Sequence, residues 1–431
     1  MSDGLNSIEK PAAAPVPAYS YFVAAVLCVV YTFNFLDRQF LSVLAQPVKV
    51  DLHLSDTQLG MLTGLMFALF YTVCGLPVAA LADRYSRVRI VAVACFLWSL
   101  FSAACGLATN FTTLALARTG VGVGEAGGSA PSYSIISDYF PPEKRGVGLA
   151  IFSLGVPFGI LLGAASGGWV AVHYGWRAAF LILGGLGLVL APILPLLVRE
   201  PLRGRLDAPP ASDEPPASLK EAIGVFSRSP TLMLTALGAG LIALVSYGLS
   251  SWAPALLIRE KGMGLGQIAT HYSLVAGVSI GLGTWLGGYV VDKWGPRNPA
   301  VYALTPGIAI LAALPFLFGV TAAPSWQAAL LFLFAPYLLA SMYLAPALAL
   351  IQNGVAARRR SAAGALFLLA LNLIGLGVGP LFVGMISDAF HPRFGVHSLG
   401  YALNWLAPFF ILAALCQFYV AARLHRTRLK T

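Results

Sequence analysis

Long apolar runs, each ended by a charged or Pro/Gly-rich break, recur along the whole 431-residue chain. A helix rises about 1.5 Å per residue, so roughly 20 apolar residues cross a hydrocarbon layer about 30 Å thick. Lipid offers the backbone no hydrogen-bond partners, and a run of this length is stable there only as a self-satisfied helix. The pattern predicts an all-α membrane protein with twelve transmembrane helices. Their spans are 20–44, 57–81, 88–108, 111–139, 146–173, 177–198, 230–258, 266–292, 299–321, 326–354, 361–389 and 398–424. The longest break, Arg199 to Ser229, is rich in proline and charge, above all from Asp207 to Pro216, and reads as a linker. The chain thus divides into a tail (1–19), a six-helix bundle (20–198), the linker (199–229), a second six-helix bundle (230–424) and a closing tail (425–431). Leu219–Phe226 predicts a short interfacial helix at the end of the linker.

Composition agrees. The chain is 58% hydrophobic and 10% charged, with a mean hydropathy of +0.79; a soluble surface needs about 25% charged residues. The first segment is too long for the h-region of a cleavable signal and carries Asp37 and Arg38 near its end. The net charge of +10 suggests nucleic acid until the positions of the 27 basic residues are considered. With the N-terminus in the cytoplasm, 20 fall on the cytoplasmic side; five (Lys49, Arg177, Arg259, Lys261, Arg393) fall opposite, and Arg38 and Arg118 lie within segments. That asymmetry is the positive-inside rule at work, so the charge reports topology and no nucleic-acid partner is expected. The expectation is a multi-pass protein of the inner (plasma) membrane, both termini cytoplasmic, working as a monomer in the lipid bilayer. The five cysteines lie in apolar segments at irregular spacing and read as small core residues.

The chain repeats itself. Asp83-Arg84-Tyr85-Ser86-Arg87 follows the second segment, and Asp292-Lys293-Trp294-Gly295-Pro296-Arg297 follows the eighth. Each puts an acid at the end of an apolar helix and a basic cluster in a tight loop, as a duplicated bundle of six plus six would. The pattern G-x-x-x-D-[RK]-x-G-x-[RK] resembles the signature loop of the major facilitator superfamily, with Ala79 and Ser86 departing from its glycines in the first copy. The resemblance implies two pseudo-symmetric six-helix bundles and a loop that latches the two halves at their cytoplasmic ends. A helix C-terminus carries about half a negative charge, so an acid there seeks a cation, and rocking halves can make and break that pair. Asp83, Arg84, Arg87, Asp138, Arg145, Asp292, Lys293, Arg297 and Asp388 form the expected conformational latch. Phe33–Arg38, Arg118–Ala126, Ala82–Arg87, Arg199-Glu200-Pro201 and Ile386-Ser387-Asp388 are similar to the spinster family of lysolipid and sphingolipid transporters.

Four charges stand inside the predicted membrane: Asp37 and Arg38 in the first segment, Arg118 and Glu125 in the fourth. Unpaired, they would cost roughly 10 kcal/mol together, so they must face one another or water. Arg118 and Glu125 are two helical turns apart on one face, about 10 Å along the axis. Asp37 and Arg38 point about 100° apart. One arrangement lets Asp37 and Glu125 approach each other or share a cation, with Arg38 and Arg118 as alternating partners. The expectation is that Asp37 and Glu125 carry a coupled proton, since a neighbouring arginine lowers and a neighbouring carboxylate raises proton affinity. Arg38 and Arg118 would hold a substrate phosphate or carboxylate; the spinster resemblance implies the same division. Gly122–Gly127 spells G-x-G-x-x-G, but with no strand before it the dinucleotide reading fails. Those glycines, and Gly155, Gly159, Gly163 and Gly167 in the fifth segment, read as close-packing faces.

The expected cavity lining is Tyr31, Phe33, Asn34, Ser246, Tyr247, Trp252, Tyr337, Tyr343, Phe367 and Asn372, with Ser250 and Ser341 beside them. Charge on the N-terminal side and an apolar C-terminal side together describe an amphipathic anion, and the spinster resemblance implies one of the lysolipid or sphingoid class. The alternatives are a sugar or aromatic acid carried with a proton, and a membrane sensor that transports nothing. No HExxH, GxSxG or metal-ligand cluster is present, so no enzyme, metal or cofactor beyond the coupling proton is expected.

Overall fold

The computed structural model describes residues 16–206, 219–356 and 359–428. Residues 1–15, the Asp207–Pro216 stretch, Arg358 and residues 429–431 lie outside the described residues. Among the described residues every regular element is helical. The N-terminal half holds α1 (Ala18–Val43), α2 (Asp56–Arg84), α3 (Arg87–Gly106), α4 (Phe111–Glu125, resuming as Ser129–Tyr139), α5 (145–174) and α6 (176–197). A short α7 (Leu219–Arg228) leads to α8 (Pro230–Arg259), α9 (Leu265–Trp294), α10 (Val301–Ala322), α11 (Trp326–Asn353), α12 (360–394) and α13 (398–428).

Polar residues in the breaks start the helices. Ser55 and Asn110 accept the N–H groups of Gln58 and Thr113 and open α2 and α4 with capping boxes. Ser86 accepts the Arg89 N–H at the head of α3, and Ser325 does the same for α11 through Ala328. Ser86 therefore has a task that a glycine at that point of the loop would not perform. Nine helical stretches among the described residues are long and apolar enough to cross a membrane. Arg145–Leu197, with 53 residues, is far longer than one crossing needs. It folds back at Gly175, whose φ of 82° is a backbone state that side chains with a Cβ rarely adopt.

The predicted repeat has a physical counterpart. α2 and α9, the second long helices of their halves, each carry a π-helical stretch within the first turns, at Met61–Leu65 and Ile268–Tyr272. Small residues set the helix contacts. A Cβ added at Gly155, Gly159 or Gly163 would land 2.5–2.9 Å from atoms of α1, so this stripe seats α5 on the helix that carries Asp37 and Arg38. At Gly122 and Gly124 it would strike Phe67 and Trp98, at 2.8 and 2.5 Å, so those glycines bring α4 against α2 and α3 just before Glu125. Cys28, Cys95 and Cys105 are buried, and all five thiols are free.

Candidate functional site

The four membrane charges are brought together, in a definite pairing. Arg38 Nε and Nη2 each lie 2.7 Å from Glu125 Oε2, and Arg118 Nη1 lies 2.7 Å from Asp37 Oδ2. Ser102 on α3 donates its hydroxyl to the other Asp37 oxygen. Within the expected arrangement, each acid takes one arginine as its direct partner. Adjacent side chains on α1 diverge, so Asp37 and Arg38 address α4 two turns apart. The pairs differ in exposure. Arg38 is 15% exposed, whereas Glu125, Asp37 and Arg118 are at 0, 1 and 2%. Arg38 is also enclosed by rings, with its guanidinium carbon 4.9, 4.7 and 5.0 Å from the centroids of Phe35, Phe67 and Tyr71. Glu125 Oε1 and Arg118 Nε have no hydrogen-bond partner among the described residues, and Arg118 also interacts electrostatically with Glu125.

Both arginines line a central cavity of about 310 Å³ between the halves. Of the residues expected there, Tyr31, Ser246, Tyr247, Tyr337, Tyr343 and Asn372 line it, as do Ser250 and Ser341. Phe33, Asn34, Trp252 and Phe367 do not. Trp252 is 1% exposed and donates its indole N–H to the Pro380 carbonyl, Phe367 is fully buried, and Asn34 is 2% exposed. Sequence reasoning missed Phe35, Gln39, Phe67, Tyr71, Tyr133 and Tyr272. Gln39 could have been found as a polar residue next to Arg38; the aromatic residues carry no signal that separates a cavity wall from lipid packing. No Asp, Glu, Lys or Arg of the second half lines the cavity among the described residues, yet that wall is not bare hydrocarbon. Serine hydroxyls, tyrosine hydroxyls and the Asn372 amide stand on it.

The latch residues divide between the two ends of the molecule. At the end holding the basic loops, Asp83, Arg84, Asp292, Lys293 and Arg297 are exposed, and among the described residues no ion pair joins the first loop to the second. Arg87 is 2% exposed and ties its own half together, with Asp138 Oδ2 at 2.5 Å and Glu200 Oε1 at 2.8 Å. Arg145 donates to the Ser137 carbonyl. Burial alone would raise the Glu200 carboxyl, but the Val88 N–H, Arg87 and Ser86 outweigh it and hold the group below its usual range. Asp388 lies at the other end from the basic loops and bonds across the two halves there. Its carboxylate accepts the Asp56 and Thr57 N–H groups, at 3.0 and 2.7 Å, capping α2 from α12. Asp56 in turn binds Lys49 at 2.5 Å, Arg259 of α8 at 2.7 Å and the Ser387 hydroxyl at 2.6 Å. These bonds clamp the halves shut at the end away from the basic loops.

The sequence profile described as the Major Facilitator Superfamily matches residues 27–380. The chain is 34% identical over 413 residues to an "MFS-type efflux pump" of Mycolicibacterium smegmatis, covering 95% of this chain and 94% of that protein. It is 30% identical over 394 residues to human "Protein spinster homolog 1", covering 86% of this chain and 74% of that one. It is also similar to the crystal structure of a bacterial homolog of the human lysosomal transporter spinster, described as inward-facing and unoccupied. The TM-score is 0.87 at 32% identity, over 96% of this chain and 99% of that one. With a central cavity between two packed halves and paired charges in its wall, the chain belongs to the major facilitator superfamily and is a transporter of the spinster type.

Proposed function

We propose that the protein is a proton-coupled secondary transporter that moves an amphipathic anion by alternating access. The observation that carries this is the Arg38–Glu125 pair in the wall of the central cavity. Arg38 is the charged group of the four most open to that cavity, and its own carboxylate partner holds it in place. An incoming phosphate or carboxylate competes with Glu125 for the guanidinium, and a displaced, buried Glu125 takes up a proton rather than remain charged in a dry site. Protonation and anion binding then favour one another. Asp37, paired with Arg118 and bonded by Ser102, is the fixed acid of the cluster, and the proton is carried at Glu125. The rings around Arg38 and the aliphatic and aromatic lining suit an alkyl chain next to a charged head.

The clamp at Asp56, with no ion pair between the basic loops among the described residues, fits a transporter open toward the cytoplasm, with both termini on that side of the inner (plasma) membrane. The two halves supply a complete cavity within one chain, so the working unit is a monomer. Hydroxyls on the second-half wall favour one other reading, a sugar-acid or aromatic-acid symporter. Binding of 1-oleoyl lysophosphatidic acid and of glucuronate to the purified protein separates the two. The lysolipid should bind and lose affinity about 10- to 100-fold in Arg38→Ala, as loss of a charge-assisted contact implies. Binding of glucuronate without the lysolipid would replace the lipid reading with the acid one.

A further inference from the structure

A second pocket, of about 430 Å³, opens at the end of the molecule that holds the basic loops and shares no lining residue with the central cavity. Glu221, Gly224, Val225, Arg228, Ser229 and Arg359 line it. It forms where the linker helix α7 packs against the start of α8 and the first part of α12. The transport scheme leaves these residues without a task.

Three elements bring positive charge to this place. Arg228 ends α7, Ser229 caps the N-terminus of α8, and Arg359 stands at the N-cap of α12. A helix N-terminus carries about half a positive charge, so two helix ends add to two guanidinium groups. Against them stands one carboxylate, Glu221, which has an interaction of its own. Neither Arg228 nor Arg359 forms an ion pair among the described residues. Ser229 accepts the Leu232 N–H at 3.4 Å and keeps its own hydroxyl proton to donate. Two forked cationic donors and a hydroxyl around one pocket are the chemistry of a phosphate site.

The surroundings say which phosphate. Ile223 and Phe226 are three residues apart on one stripe of α7; Phe226 is buried in the core, whereas Ile223 stays 51% exposed. A helix anchored by one apolar residue, bare at the next and ended by arginine, suits the level of lipid headgroups. We infer that this pocket binds the phosphodiester headgroup of an anionic phospholipid from the leaflet on that side. Arg228 and Arg359 take its non-bridging oxygens, Ser229 donates beside them, and Ile223 lies against the acyl chains. A lipid so held pins the linker helix to the head of α12. The inference does not depend on what the central cavity carries.

The test uses the delipidated full chain in neutral detergent, with lipid binding read by native mass spectrometry and by the thermal unfolding midpoint. Dioleoyl phosphatidylglycerol should bind and raise the midpoint. Dioleoyl phosphatidylcholine, whose phosphate is balanced by choline, should bind about tenfold less tightly. Arg228→Gln and Arg359→Gln should each weaken phosphatidylglycerol about fivefold, the share of one arginine at a charged membrane surface, and leave the lipid-free midpoint unchanged. Arg89→Gln/Arg426→Gln removes two exposed arginines at the same end but outside the pocket, and should keep the affinity within about twofold. A loss in that control as large as in the pocket variants means general surface attraction and overturns the site. Glycerol 1-phosphate binding as tightly as the lipid, through the same arginines, overturns the lipid occupant in favour of a soluble phosphate. Equal binding of phosphatidylglycerol and phosphatidylcholine by the wild-type protein overturns the anion site altogether.

Discussion

Two ion pairs of the same chemistry join the same two helices, yet they are built for different work. Arg118–Asp37 is sealed at 2 and 1% exposure and reinforced by Ser102. Arg38–Glu125 has one fully buried partner and one that reaches into the cavity at 15% exposure, and it leaves a Glu125 oxygen unpartnered. A pair buried on both sides resists change, whereas a pair with one open face and one unsatisfied carboxylate oxygen can be displaced by a ligand and protonated. The difference lies in the surroundings and not in the residue types.

Removing Arg118 should break the comparison most severely. Arg118→Ala leaves Asp37 charged in a dry site, and stranding one partner of a buried pair costs about 3–5 kcal/mol. The expected outcome is a large fall in the thermal unfolding midpoint in detergent. The corresponding change at the open pair, Arg38→Ala, should lower that midpoint far less, because its partner can take up a proton. Equal losses in the two variants would mean that both pairs are structural. Ser102→Ala removes a hydrogen bond to a charged group and should cost about 1.5 kcal/mol. Its smaller midpoint shift should come without loss of lysolipid binding, since Ser102 does not line the cavity.

Much of this was legible in the residues alone. Long apolar runs between capping residues mark the spanning helices because lipid imposes that pattern, and charges as expensive as Asp37, Arg38, Arg118 and Glu125 must find partners. The pairing was not legible. Residues 37 and 38 fix only an angle of about 100° between their side chains, and the register of α1 against α4 is set by tertiary packing, through Gly155–Gly163 and Gly122–Gly124. Trp252 and Phe367 look like cavity aromatics in sequence, but whether a ring faces a cavity or a neighbouring helix depends on helix rotation. Asp388 resembles a latch acid by its position at a helix end; only the fold shows that its partners are the first N–H groups of α2. Phe67 and Tyr71, two of the rings around Arg38, are indistinguishable in sequence from lipid-facing residues.

The central claim is that Glu125 exchanges a proton when an anion takes its arginine. Proteoliposomes loaded with a pH-sensitive dye can follow proton movement and exchange of labelled lysophosphatidic acid in the same preparation. In Glu125→Gln, exchange of substrate for substrate should persist, while an imposed pH gradient should no longer drive accumulation and no proton flux should accompany substrate. Accumulation driven by the pH gradient at the wild-type rate in Glu125→Gln, with proton flux intact, would contradict the account.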